Sequence, residues 1–103
     1  MNKSLNEYAI EIAKWRESKG FITPEHISDA TGTLAKLMLV VSEVSEACEA
    51  IRDNDFFNFK EEIADTFIRL LDICGTMKID IDTEIRTKMA KNEKRPYKHG
   101  RKI

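Results

Sequence analysis

Four carboxylates stand in two pairs whose spacing suits a metal ion. Each pair holds two acids three residues apart in a segment with a helical pattern: Glu43 and Glu46, then Glu62 and Asp65. Acids one helical turn apart share a face, so two facing pairs would bring all four together. We call these four residues the carboxylate cluster. Oxygen ligands without histidine or cysteine favour Mg²⁺, or alternatively Mn²⁺, over zinc.

A second set of polar residues follows towards the C-terminus. Lys88, Asn92 and Arg95 share one face of a helix, and we call them the tail triad. An ammonium, an amide and a guanidinium all donate hydrogen bonds to phosphate oxygens. The simpler alternative is an ordinary basic helix end, which the helix dipole favours. Glycine-rich phosphate loops are absent from the sequence, so phosphate would be held by side chains and metal.

Length and charge indicate one small domain with an uneven charge distribution. We predict a single domain over residues 1–103, with 42% hydrophobic residues and a basic tail at about 96–103. A chain this short buries a limited fraction of its surface and often relies on oligomerisation. Residues 86–103 hold eight basic residues against one acid, a balance of +7, so a net charge of −1 leaves −8 for the rest. Such a tail suits an anionic ligand or, alternatively, nucleic acid.

The cysteines, histidines and apolar runs indicate which metal sites and which cellular compartment fit the sequence. Cys48 and Cys74 lack a CxxC spacing, and His26 is far from His99, so neither a disulfide framework nor a zinc site is indicated. A reducing, cytoplasmic setting is expected. The longest strongly apolar run is residues 37–41, and we therefore expect neither a signal peptide nor a membrane span.

Helical periodicity predicts an all-α fold, most simply a four-helix arrangement. Ser4 and Glu7 form a capping-box pattern at the first helix, and Thr23-Pro24 lies in a loop with one short turn at most. The predicted helices run from 4 to 20, from about 33 to 51, from about 56 to 77, and from 80 or 82 to the residue before Pro96.

The second predicted helix is apolar on nearly every side. Its other side carries Leu39, Ala47 and Ala50 beside Glu43 and Glu46, so we expect these two acids to be at least partly buried. The main stripe, which we expect to form core, holds Leu34, Leu37, Met38, Val41, Val44, Ser45, Cys48 and Ile51.

The third predicted helix separates an apolar stripe from a charged face. The charged face carries Glu62, Asp65, Arg69 and Asp72, and an Asp65–Arg69 pair at i, i+4 could make it a plain solvated surface. We leave the role of Asp72 open. The apolar stripe holds Phe56, Phe59, Ile63, Phe67, Leu70, Cys74 and Met77.

The ordered combination of these motifs resembles a known enzyme family. The series is Glu43-x-x-Glu46, fifteen intervening residues, Glu62-x-x-Asp65, then Lys88-x-x-x-Asn92-x-x-Arg95-Pro-Tyr and His99-Gly100. It is similar to the MazG-like nucleotide pyrophosphohydrolases of the all-α NTP pyrophosphatase superfamily, over about residues 34–100.

The resemblance implies a helical bundle completed by oligomerisation, as a homodimer or a homotetramer that is a dimer of dimers. It implies Mg²⁺ held by the carboxylate cluster, phosphate contacts from the tail triad, and cleavage of nucleoside triphosphates to monophosphate and pyrophosphate. The mechanism that fits is metal-assisted attack of water at the α-phosphorus, with Glu43 or Glu46 as the proton acceptor.

Base and phosphate recognition have weaker candidates. Trp15, Phe21, Tyr97 and His26 could stack on or hydrogen-bond a base, although a lone tryptophan in an amphipathic helix is more often core or interface. Lys36 could reach the phosphates or merely cover an exposed strip.

Two alternatives remain open at this point. One is a non-catalytic helical interaction module whose basic tail binds nucleic acid or protein, although we favour no nucleic-acid partner. The other is a superfamily pyrophosphatase that acts on a different substrate, such as phosphoribosyl-ATP.

Overall fold

The computed structural model describes residues 2–19 and 29–95. Within these two ranges the chain forms helices and no strand, which confirms the predicted all-α class. The helices are α1 (Leu5–Ser18), α2 (Ala30–Arg52), α3 (Phe56–Met77) and α4 (Ile81–Glu93). The predicted loop turn at Thr23-Pro24 and the basic tail from residue 96 lie outside the described residues.

Side-chain caps explain where three helices begin. At α1 the predicted capping box is present: the Ser4 hydroxyl accepts from the Glu7 N–H at 3.1 Å, and the Glu7 carboxylate accepts from the Ser4 N–H at 2.8 Å. Asp55 and Asp80 cap α3 and α4 by accepting from the backbone N–H three residues on. These caps satisfy amide groups that the first turn leaves without partners.

Helix α2 begins three residues earlier than predicted. Asp29 is its N-cap, and its carboxylate accepts from the Gly32 N–H at 2.6 Å. The cap stabilises a first turn that contains Gly32, although glycine in a helix is unfavourable by about 1 kcal/mol relative to alanine. The longer α2 carries Lys36 well inside a regular helix.

The central helix is α3, and both α1 and α2 pack along it. The short α4 contacts α1 more sparsely. A small core lies between α1 and α3, where buried Ala9, Leu71 and Cys74 pack with Leu5, Ile12 and Ile81. Helices α1 and α2 therefore flank one face of α3 and form a groove with it.

Gly75 allows α1 and α3 to approach each other closely. A Cβ atom at position 75 would lie 2.1 Å from the Ala9 carbonyl oxygen and 3.1 Å from the Ala13 Cβ. Only a residue without a side chain fits this crossing. Gly75 thus sets the position of α1 against the groove.

The prediction that the main apolar stripe of α2 forms core is wrong within one chain. Leu34 and Met38 are 62% and 61% exposed, whereas the buried residues of α2 are Ala47 and Ala50 on its other side. An apolar stripe identifies a surface that needs covering, but it does not say that the same chain covers it. The remaining stripe residues of α2 are exposed as well: Leu37, Val41, Val44, Ser45, Cys48 and Ile51.

The stripe of α3 is only partly buried. Phe56 is 62% exposed and Phe67 is 54% exposed, whereas Cys74 is buried. Among the described residues, six hydrophobic residues are buried and twenty large hydrophobic side chains are exposed. The radius of gyration is 16.2 Å, larger than the roughly 13 Å typical of a compact 100-residue domain. One chain thus buries little of its apolar surface.

Candidate metal and nucleotide site

The carboxylate cluster is assembled by the α2–α3 hairpin. Glu46 lies seven residues before Asp53, and Glu62 lies seven residues after Asp55. Because the two antiparallel helices meet at this short turn, residues at equal distances from it lie at the same height. Glu43 and Asp65 are each ten residues from the turn, so they form a second level one helical turn away.

Three members of the carboxylate cluster converge on one point. One oxygen atom from each of Glu43, Glu62 and Asp65 lies within 4.8 Å of the others. Glu43 and Glu62 are half-buried, and Asp65 is exposed. Glu46, which sequence analysis grouped with them, is exposed and lies outside this trio.

Glu62 has the least compensated side chain of the cluster. Its Oε1 atom is buried and has no hydrogen-bond partner. Burial raises the pKa of Glu62 above its usual value, and the charge and hydrogen bond of Glu46 raise it further, as do the charges of Glu43 and Asp65. A raised carboxylate pKa means that negative charge is disfavoured there until a cation arrives. These residues therefore fit a divalent cation held by oxygen ligands.

Arg69 is the basic residue that pairs with the cluster. Its Nε donates to Glu43 Oε2 at 2.8 Å, with the Glu43 side chain 13% exposed and the Arg69 side chain 40% exposed. The suggested Asp65–Arg69 pair along α3 is replaced by this contact between two helices. The partial burial expected for Glu43 is confirmed, but the same expectation for Glu46 is wrong because Glu46 is exposed.

A cavity of about 980 Å³ lies in the groove between α1 and α2. Residues of α3 form its floor, and residues of α1 and α2 form its walls. Glu43 and Asp65 line the cavity, which is open to solvent, so the carboxylate cluster lies at its edge. The other lining residues are Glu11, Ile12, Trp15, Arg16, Lys36, Ile68, Arg69 and Asp72.

Asp72 joins three helices further along this cavity. Arg16 Nε donates to Asp72 Oδ1 at 2.7 Å, and Lys36 Nζ donates to Asp72 Oδ2 at 3.3 Å. Arg16 Nη2 also donates to the Thr76 hydroxyl at 2.7 Å. We call these four residues the Asp72 group. Asp72 and Arg16 are 7% and 5% exposed, so the charged face of α3, for which a plain solvated surface was an open alternative, is buried at Asp72.

Arg16 was not predicted from the sequence as a site residue, and the role of Asp72 was left open. Asp72 lies seven residues after Asp65 on the same helix face, which was a usable signal for a shared groove. Arg16 gave no such signal, because its partner is 56 residues away and only the packing of α1 on α3 brings the two together.

The predicted substrate contacts fall into three sets. Trp15 and Lys36 line the cavity, and the Trp15 side chain is 57% exposed. The tail triad is exposed on and just after α4, and it is not among the described residues that line the cavity. Tyr97, Phe21 and His26 lie outside the described residues.

The family model of the MazG nucleotide pyrophosphohydrolase domain matches residues 32–99, about two thirds of the chain. The matched range contains the whole carboxylate cluster and the tail triad. Curated proteins and solved structures gave no match. In the described part of the chain, no helix has both the length and the apolar character needed to cross a membrane.

Proposed function

Because the chain belongs to the MazG nucleotide pyrophosphohydrolase family, we propose that it hydrolyses nucleoside triphosphates to nucleoside monophosphates and pyrophosphate in a Mg²⁺-dependent reaction. The observation that carries this proposal is the convergence of carboxylate oxygens from Glu43, Glu62 and Asp65 within 4.8 Å of one another. Two of these residues also line the cavity, which has room for a nucleotide.

The converging trio holds the divalent cation, with Glu46 beside it. The unpartnered Oε1 of Glu62 supports this assignment, since a buried carboxylate oxygen without a donor gains most from a cation. The chemistry supplied by bound Mg²⁺, or by Mn²⁺ in its place, is charge neutralisation at the triphosphate oxygens and a lower pKa for water.

Glu46 is the better candidate for the proton acceptor. It lies outside the trio but close enough to Glu62 to raise the pKa of that residue. An exposed carboxylate next to the metal ligands can accept a proton from water that attacks the α-phosphorus and return it to solvent. Glu43 is less suited to this role, because it already pairs with Arg69.

Contacts to the rest of the nucleotide come from the cavity walls. Lys36 is seven residues before Glu43 on α2, so both side chains lie on one face of this helix, and the ammonium can reach the phosphates. The exposed ring of Trp15 offers a surface on which a base can stack.

A second copy of the chain completes the site in our proposal. The exposed apolar stripe of α2 is a surface that a self-associating protein would cover, in a homodimer or a homotetramer built as a dimer of dimers. Association also offers a route for the tail triad to reach the phosphates, which one chain does not provide. A strictly monomeric species in sedimentation, at concentrations that support activity, would contradict this part of the proposal.

The test is pyrophosphate release from a panel of standard and modified nucleoside triphosphates, with phosphoribosyl-ATP included, measured with Mg²⁺ and with EDTA. We expect Mg²⁺-dependent release from at least one nucleoside triphosphate. Replacing Glu46 with Gln should lower kcat by about 10²–10⁴-fold, the usual range for loss of a general base.

The matched control is Glu49→Gln. Glu49 is one helical turn further along α2, exposed, and paired with Arg52 at 2.7 Å. This variant should retain the wild-type rate. Absence of cleavage for every compound, with Mg²⁺ as well as with EDTA, would overturn the enzymatic assignment.

A further inference from the structure

Arg69 places a positive charge beside the carboxylate cluster, where a metal ion is expected to bind. Its guanidinium donates to Glu43 Oε2 at 2.8 Å, and Glu43 is one of the three converging carboxylates. A cation bound by this trio would lie near the guanidinium, and the two positive charges would repel each other. In the ligand-free protein, Arg69 and a metal ion therefore compete for the charge of Glu43.

The Arg69 side chain is partly exposed and faces the cavity. It is 40% exposed and lines the same cavity as Lys36, whereas Arg16 in the Asp72 group is 5% exposed and held by two hydrogen bonds. A planar guanidinium binds phosphate oxygens through two parallel hydrogen bonds. A triphosphate in the cavity would thus offer Arg69 a partner with more negative charge than Glu43 has.

We propose that Arg69 couples metal binding to triphosphate binding. This inference rests on the proposed function, because it assumes that the cavity receives a triphosphate. Without nucleotide, Arg69 holds Glu43 and weakens cation binding. With nucleotide, Arg69 turns to the phosphates and releases Glu43 to the cation. Arg69 is a positioning residue in this scheme, since it acts on the metal through Glu43.

Thermodynamic linkage makes the proposal measurable by binding alone. If nucleotide tightens metal binding by some factor, metal tightens nucleotide binding by the same factor. The probes are Mn²⁺, followed by electron paramagnetic resonance, and a nucleoside triphosphate with an α,β-imido bridge that resists cleavage. Four Kd values, each ligand with and without the other, give the coupling factor.

In Arg69→Met, we expect Mn²⁺ to bind the nucleotide-free protein about tenfold more tightly than it binds the wild type, and the coupling factor to fall by about tenfold. Arg69→Lys keeps the charge but loses the forked geometry. Its coupling factor should therefore lie between that of the wild type and that of Arg69→Met. This variant also tests the proposal if Arg69→Met does not fold.

Arg52→Met is the matched control. Arg52 forms an exposed ion pair with Glu49 on the same hairpin, and the N–O distance of 2.7 Å is close to the 2.8 Å of the Arg69–Glu43 pair. It should leave all four Kd values unchanged. The proposal is overturned if both Arg69 variants keep the wild-type coupling factor or if Arg69→Met weakens Mn²⁺ binding without nucleotide. Such a result leaves the proposed function standing as long as the wild type still releases pyrophosphate.

Discussion

Two groups of charged residues line the same cavity, and they differ in how their charges are compensated. In the Asp72 group, one buried carboxylate accepts hydrogen bonds from Arg16 and Lys36. In the carboxylate cluster, three acids converge with Glu46 outside the trio, one guanidinium pairs with Glu43, and the acceptor Glu62 Oε1 is buried without a partner. The buried unpartnered atom of the Asp72 group is a donor, Arg16 Nη1. A fully paired buried carboxylate is part of the structure, whereas an under-compensated one is prepared for a cation.

The difference follows from where each group lies in the fold. The carboxylate cluster lies on the α2–α3 hairpin, whose geometry is set by a short turn. The Asp72 group needs α1, which crosses α3 closely at Gly75. The carboxylate that is paired within the fold and the carboxylates that we propose to bind a cation are thus separated along one face of α3.

The largest expected effect is on the stability contributed by the Asp72 group. Asp72→Ala leaves Arg16 buried without its carboxylate and should lower the free energy of unfolding by about 3–5 kcal/mol. Denaturant unfolding measures this change. Glu61→Ala, at an exposed position of the same helix, is the control and should stay within about 0.5 kcal/mol of the wild type. If Asp72→Ala and Glu61→Ala changed the free energy of unfolding equally, the Asp72 group would not have the structural role that distinguishes it from the carboxylate cluster.

A smaller effect is expected from the crossing of α1 and α3. Gly75→Ala places a methyl group against the Ala9 carbonyl and should cost about 1–3 kcal/mol of unfolding free energy, despite the better helix propensity of alanine. Since the carboxylate cluster does not depend on α1, Mn²⁺ affinity of the folded variant should match that of the wild type. Loss of Mn²⁺ binding in a folded Gly75→Ala protein would show that the two groups are not separable.

The smallest effect concerns the charge of Glu62 without metal. Because the pKa of folded Glu62 is raised, its contribution to stability is full below its usual value of 4.5 and is lost as pH rises through the folded pKa. In EDTA at pH 7, Glu62→Gln should therefore unfold at a higher temperature than the wild type, and the difference should shrink as the pH falls towards 4.5. Added Mg²⁺ should stabilise the wild type more than the variant. A lower unfolding temperature for the variant in EDTA would contradict the view that burial and the neighbouring acids disfavour the charge of Glu62.

Local sequence signals predicted the helices well. Ser4, Asp55 and Asp80 lie next to the turns that they cap, so the four helices and most of their bounds follow from the sequence. The hairpin likewise places both acid pairs at matching heights, and the family assignment is confirmed by the match over residues 32–99. These features depend on neighbours along the chain.

Features that depend on packing between distant segments were not predictable. The apolar stripe of α2 has the periodicity of a core face, but Ala47 and Ala50 are the residues that this chain buries. Arg16 reaches Asp72 only through tertiary packing, and no spacing rule links them. The Arg69–Glu43 pair was missed for the same reason, because the i, i+4 neighbour Asp65 was the local alternative.

The central claim is that the carboxylate cluster is a divalent-cation site. Its most direct test is a Mn²⁺ titration at neutral pH of the wild type, Glu62→Gln and the control Glu61→Gln, an exposed neighbour on α3. The account predicts saturable binding by the wild type and by Glu61→Gln, and at least a tenfold loss of affinity in Glu62→Gln, about 1.4 kcal/mol. Equal Mn²⁺ affinity in all three proteins would contradict it.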